Sequence, residues 1–240
     1  MMNTLRSIVF LLFLVEVCSG VCAWSATDAP QGAADQVSLS SFLNKAGGKL
    51  SCYFTIEDVD DDRPLDERQL PSTMPESKAQ LLAFLKTQLS DAYVFVDPSR
   101  REVVHIVRRA LKNRSQYPLD APVSITYTGL LYWLPDAIGT VINGRVVSER
   151  AILSTRTRID TVTNISVKDI KQPVRKILTC TTPLNGYSRI LWRSTVGRNR
   201  TNGDEVVFVQ FFGPSQDLPV VPSTEKPIRE VHINAGGSTK

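Results

Sequence analysis

The chain has 240 residues, 42% hydrophobic and 22% charged, with 28 Lys and Arg against 24 Asp and Glu, a net charge of +4. That balance excludes a disordered chain, which lacks the apolar residues for a core, and a dedicated nucleic-acid binder, which carries a far larger basic excess. The chain holds two histidines and four cysteines, and no HExxH or paired CxxC, which speaks against a dedicated zinc site.

The chain opens on Arg6, the apolar run Ile8–Val15, and small residues around Val21-Cys22-Ala23, with a second cleavage position at Ala23-Trp24-Ser25. This is the pattern of an export signal. The run is far shorter than the roughly 20 residues that span a bilayer. A cleaved signal peptide over 1–25 is therefore expected, leaving a secreted or periplasmic chain with no transmembrane segment. Cleavage removes one basic residue, Arg6, and one acidic, Glu16, so the charge stays at +4. Cys18 and Cys22 leave with it. An oxidising compartment permits a disulfide between the remaining Cys52 and Cys180; two buried thiols acting as small hydrophobes is the other reading.

Leu39–Ala46 reads as a short helix that Gly47-Gly48 stops. Leu50–Ile56 is strand-like, and a polar, acidic stretch runs to Glu76. Ser77 and Gln80 have capping-box spacing ahead of a helical face of Leu81, Leu82, Leu85 and Leu89. Tyr93–Val96, a turn at Asp97-Pro98-Ser99-Arg100, and Val103–Val107 then make a hairpin.

The second half repeats that order. Val123–Tyr127 is a strand, and a helix over Leu130–Ile142 carries Pro135 in its first turn or at a kink and ends at Asn143-Gly144. Val146–Leu153 is strand-like and a Thr- and Arg-rich stretch follows. Pro173 opens a helix with Val174, Ile177, Leu178 and Thr181 facing inward. Tyr187–Thr195 and Glu205–Phe211 form the closing hairpin. Leu39 and Leu131 are 92 residues apart, Lys78 and Val174 are 96, Tyr93 and Tyr187 are 94. The fold class expected is α+β: two related two-layer modules, 36–111 and 121–213, each a small mixed sheet with helices on one face and a C-terminal hairpin. Residues 214–240, with Pro214, Pro219, Pro222 and Pro227 among Ser, Thr, Gly and Lys, read as a flexible tail.

The strand and helix, then Thr163-Asn164-Ile165-Ser166-Val167, the helix opened by Pro173 with Ile177-Leu178, and Tyr187 heading a hairpin together resemble the secretin and TonB short N-terminal domain. Ala79–Ile106 is similar in its ending, with paired leucines, an aromatic strand, a Pro-containing turn and a Val/Ile strand. The resemblance covers about 36–111 and 121–213, and it implies two copies of that domain in tandem with a docking role.

No catalytic, cofactor-binding or metal-ligating residue is assigned. His105 lies among valines and isoleucine on a strand and reads as structural. Asp58, Asp60 and Asp62 begin like a calcium loop, but Arg63 and Gln69 stand where Gly and Glu are needed, so a solvated acidic loop is expected. There is no GxGxxG or Walker sequence for nucleotide use and no G-x-S-x-G elbow for a serine hydrolase. Arginines recur beside both hairpins, at Arg100, Arg101, Arg108, Arg109 and Arg114, and at Arg189, Arg193, Arg198 and Arg200. They read either as solvated edges or as a contact for an anionic surface; the second set is the candidate binding surface. Asn113, Asn164 and Asn199 head glycosylation sequons. The function expected is a non-enzymatic binding or adaptor module contacting a protein or an anionic envelope component. The alternative is an exported enzyme with its site between the two halves.

Overall fold

The computed structural model describes residues 35–60, 63–112, 116–149, 162–184, 188–198 and 203–212. The expected signal segment, the tail, Arg200 and the sequons at Asn113 and Asn199 lie outside the described residues. Strand β1 (Gln36–Ser38) leads straight into helix α1 (Leu39–Leu50), because extended Ser38 accepts the Ser41 amide as an N-cap. The expectation that Gly47-Gly48 ends this helix is corrected: it runs to Leu50, and Ser51, at φ 51°, supplies the left-handed C-cap. Gly47 is needed for space. A Cβ there would sit 2.6 Å from the Cys52 carbonyl and 2.8 Å from Arg189 Cβ, so the chain can turn back at once into β2 (Tyr53–Val59).

A 3₁₀ turn (Leu65–Glu67) and β3 (Gln69–Pro71) follow. Ser77 caps α2 (Lys78–Gln88) through the Gln80 amide, with Leu81 and Leu85 buried. Then come β4 (Ala92–Val96), β5 (Val103–Arg108) and one helical turn over Arg109–Lys112. The second half runs β6 (Pro122–Leu130), α3 (Leu134–Val141), β7 (Val146–Ser148), β8 (Asn164–Pro173), α4 (Val174–Thr181), β9 (Ile190–Arg198) and β10 (Glu205–Phe211). The class is α+β.

Six strands form one mixed sheet in the order β4-β5-β2-β9-β10-β7; β1 pairs with β3, and β6 with β8. Two separate small sheets were expected. Instead, β2 and β9 pair in parallel and join the halves. Within each half the pairing scheme is the same. β4 with β5 and β9 with β10 are antiparallel, β2 with β5 and β7 with β10 are parallel, and β1 with β3 and β6 with β8 are antiparallel. Buried Leu39, Phe42, Ala46 and Gly47 of the first half stand 92 residues before buried Leu131, Leu134, Ile138 and Gly139 of the second.

Corresponding strands run in opposite directions although the left-to-right order is kept, so the second half is turned over relative to the first. Its helices therefore lie on the other face of the sheet. Strand β5 records this: Val104 and Ile106 pack with Phe42, Leu81 and Leu85, whereas Val103 and Val107 pack with Ile138, Val174 and Ile177. The first half thus has both faces of β2 and β5 buried, one by its own helices and one by α4.

Cys52 and Cys180 are free thiols, which corrects the disulfide reading. Cys52 is buried on the α1 and α2 side of the sheet. Cys180 is exposed on α4, whose buried residues pack on the opposite side. No helix among the described residues is long and apolar enough to cross a membrane.

Candidate functional site

The structure disperses the predicted arginine set. Arg189 and Arg198 stand at opposite ends of β9, about 30 Å of strand apart. The Arg189 guanidinium lies 4.9 Å over the Tyr53 ring, and its amide donates to Asn44 Oδ1. Arg198 is exposed. Arg193, between them, donates to Asp66 Oδ2 at 2.6 Å. Strand β9 is interior to the sheet, flanked by β2 and β10, so the second hairpin offers no free edge on that side. Near the first hairpin Arg101 and Arg109 are exposed, as the solvated-edge reading expects, but Arg108 corrects it. Arg108 is buried and donates to Asp58 Oδ1 at 2.7 Å and Asp91 Oδ2 at 2.6 Å. Asp58 also accepts the Leu65 and Val59 amides, and this ties the acidic loop down. Burial alone would raise the Asp91 pKa, but Arg68 and Arg108 outweigh it and hold the carboxyl below the usual range.

Two polar clusters lie on the covered face of β2 and β5. His105 bridges Thr55 Oγ1 at 2.7 Å through Nδ1 and Asp97 Oδ2 at 2.9 Å through Nε2. This is the order of a hydroxyl–imidazole–carboxylate relay, but Thr55, His105 and Asp97 are 0%, 1% and 5% exposed. No substrate carbonyl reaches the hydroxyl in that state, so the chain acts as a buried polar brace. Burial pushes the Asp97 carboxyl up, and hydrogen bonds from His105 and the Arg100 and Ser99 amides more than offset it. Beside it, Glu57 is fully buried and takes a bidentate pair from Arg175 of α4, at 2.5 Å to Nε and 2.8 Å to Nη2. Arg175 also contacts Asp120. Burial works against the Arg175 charge, but Glu57 and Asp120 prevail and strengthen its hold on the proton. Burial, then the Glu57 charge, raises the neighbouring Tyr117 phenol well above its usual range. Neither Glu57 nor Arg175 has a signal in sequence, because the two are 118 residues apart.

The open site lies on the other face, beyond α1 and α2, where the second half contributes Asp136 from the start of α3. Here β2, β9, β10 and β7 form the floor of a cleft of about 800 Å³, walled by the loop before β3 and by Asp136 of α3. Five carboxylates line it beside Asp58, from Asp60, Asp66, Glu67, Asp136 and Glu149, and of these Asp66 is paired with Arg193 as Asp58 is with Arg108. Gly197 keeps the floor low: a Cβ there would come within 3.0 Å of the Phe208 ring. Asp136 Oδ1 accepts the Ser148 amide at 3.0 Å. Its Oδ2 is buried without a hydrogen bond, as is Glu149 Oε2. Arg193 Nη2 lies 3.9 Å from Glu149 Oε1, beyond hydrogen-bond range. The arrangement therefore carries spare acceptor capacity and a net negative lining, which suits guanidinium or ammonium groups through charge-assisted hydrogen bonds.

No group of three or more His, Cys, Asp or Glu side chains that could hold a metal ion occurs among the described residues. Comparisons with protein-family models, with curated proteins and with solved structures find no match for this chain.

Proposed function

We propose that this chain is an exported, non-enzymatic binding module, made of two related units of the secretin and TonB short N-terminal type, whose junction cleft takes a positively charged segment of a partner protein. The observation that carries this reading is the cleft's five-carboxylate lining, with buried oxygens of Asp136 and Glu149 that make no hydrogen bond. The matching pairing scheme of the halves supports the tandem-unit part. It favours a cationic protein over an anionic envelope component, since the candidate arginines are spread along β9 and Arg193 is already paired.

The test is titration of residues 26–240 with a labelled tetra-arginine peptide. Binding should weaken as salt rises from about 50 to 300 mM and weaken again in the Asp136→Asn/Glu149→Gln variant. Binding that ignores both changes would return the cleft to a solvated surface. The enzyme alternative rests on the same carboxylates at the junction of the halves; turnover of any substrate, abolished by Asp136→Asn without loss of fold, would put it in place of the binding reading. Export rests on Arg6 and the apolar run to Val15. N-terminal sequencing should find the exported protein starting near Trp24 or Ala26, and a Met1 start in a membrane fraction would remove it.

A further inference from the structure

We infer that the partner reaches the cleft as an amphipathic helix that carries an arginine in its first turn, and that this arginine closes on Glu149 as Arg175 closes on Glu57. The inference rests on the cationic-partner reading and specifies its form. The molecule contains one such docking already. On β2 and β5, the face turned away from α1 and α2 is covered by α4, which packs Val174 and Ile177 with Val103 and Val107 and sets Arg175 on Glu57.

The second half presents the matching surface without its cover. Strands β7 and β10 pair in parallel, as β2 and β5 do. Glu149 follows Glu57 by the same 92 residues that separate Gly47 from Gly139. Val146 and Ser148 are buried towards the α3 side, so alternation turns Val147 and Glu149 to the opposite face, with Phe208 of β10. Thr55 and Glu57 point away from the helices of their own half in the same way. Where Glu57 is fully buried and doubly bonded, the Glu149 side chain is 30% exposed; its Oε2 is buried without a hydrogen bond and its Oε1 faces Arg193 Nη2 across 3.9 Å. Half-buried Phe208 and Val147 offer the apolar floor that Val103 and Val107 offer to α4.

Two details define the partner. Ser148 would present its amide outward from β7, but Asp136 Oδ1 already accepts it. At the matching position of α1, Asn44 instead accepts the Arg189 amide of the entering β9. An added strand is thus blocked at β7, and a helix lying over the face is not. A second copy of this chain does not fit either. Counted from the helix N-caps, Ser77 and Pro173, its α2 has Ala79 where α4 has Arg175, and its own α4 is already committed to Glu57.

The probe is a helical peptide patterned on α4, Pro-Val-Arg followed by apolar residues at i+3 and i+4 in an alanine-rich frame, titrated against residues 26–240 by fluorescence anisotropy. Its Arg→Gln version should bind at least about tenfold more weakly, as should the parent peptide to Glu149→Gln protein. Combining the two changes should add little further loss, the mark of a direct pair. The Glu149→Gln melting curve checks that the fold is intact. Equal binding of a scrambled, non-helical peptide of the same composition would overturn the helix and leave the cationic reading standing. No binding of either peptide at about 1 mM would remove both. Dimerisation of the protein that Glu149→Gln abolishes would make a second copy the occupant and overturn the inference.

Discussion

Arg175 is the side chain on which the seam between the halves depends. Its partner Glu57 is fully buried, so Arg175→Ala leaves a carboxylate without charge compensation in the interior. Such a change costs about 3–5 kcal/mol, readable as a lower urea midpoint with an unchanged slope. Arg175→Lys should recover little, because one ammonium cannot replace a planar fork on two oxygens. A loss below about 1 kcal/mol for the alanine variant would mean that water reaches the Glu57 carboxylate in the fold. Asp97 and Asp91 set the acid side. Both carboxyls are held below their usual range in the folded state, so the unfolded chain takes up protons first as pH falls. Their contribution is fully present above the unfolded value near 3.9 and is lost as pH drops through the folded values. Asp97→Asn should flatten the fall of the urea midpoint between about pH 4 and 2; an unchanged slope would show that the His105 contact does not hold that carboxylate.

At the level of elements, the helix glycines separate two causes that look alike in sequence. Gly139 packs α3 against β7 so closely that an added Cβ would lie 2.1 Å from the Val146 carbonyl oxygen, backbone that cannot swing aside. Gly139→Ala should destabilise by about 1–3 kcal/mol. Gly48 is inside α1, and nothing lies within 4 Å of its Cβ position. Gly48→Ala should stabilise by about 0.5–1 kcal/mol, because alanine loses less backbone freedom in a helix. Thermal melts of the two variants decide the point, and a gain from Gly139→Ala would contradict the close approach of α3 and β7.

At the scale of the whole molecule, the halves share one sheet and one of its cores. Val103 and Val107 belong to the first half by sequence but pack with Ile138, Val174 and Ile177 of the second. Removing the second half would expose Glu57, Val103 and Val107 to water, and removing the first would uncover Val174 and Ile177. The intact protein should therefore unfold in a single calorimetric transition whose van't Hoff and calorimetric enthalpies agree. Two resolved transitions would show that the β2–β9 seam and the Arg175 pair do not couple the halves.

Much was legible from local rules. Ser77 with Gln80, Pro135, Asn143-Gly144 and the alternation of Val103–Val107 act within a few residues, and capping, ring closure and side-chain period operate at that range. The helix-then-hairpin order at offsets of 92–96 residues was readable for the same reason. The end of α1 was not, because Gly47 is chosen by a strand that folds back onto it and not by the helix. Nor was the partner of any arginine. Arg108 and Arg193 look like solvated strand charges until Asp58, Asp91 and Asp66 come from other segments to meet them. The acidic cleft was equally hidden, since Asp66, Asp136 and Glu149 come from three segments. The sequence by itself determined the α+β class, the main helices and the two hairpins, which follow from hydrophobic period and capping. It did not determine β1, β3 or β8, whose polar stretches are made strands by the partners they pair with. Only the tertiary structure decided that β2 and β9 join one sheet, that the second half is turned over, and that one face stays open beside Glu149. Those outcomes depend on contacts between residues more than a hundred positions apart, where no local pattern records which strand edge meets which.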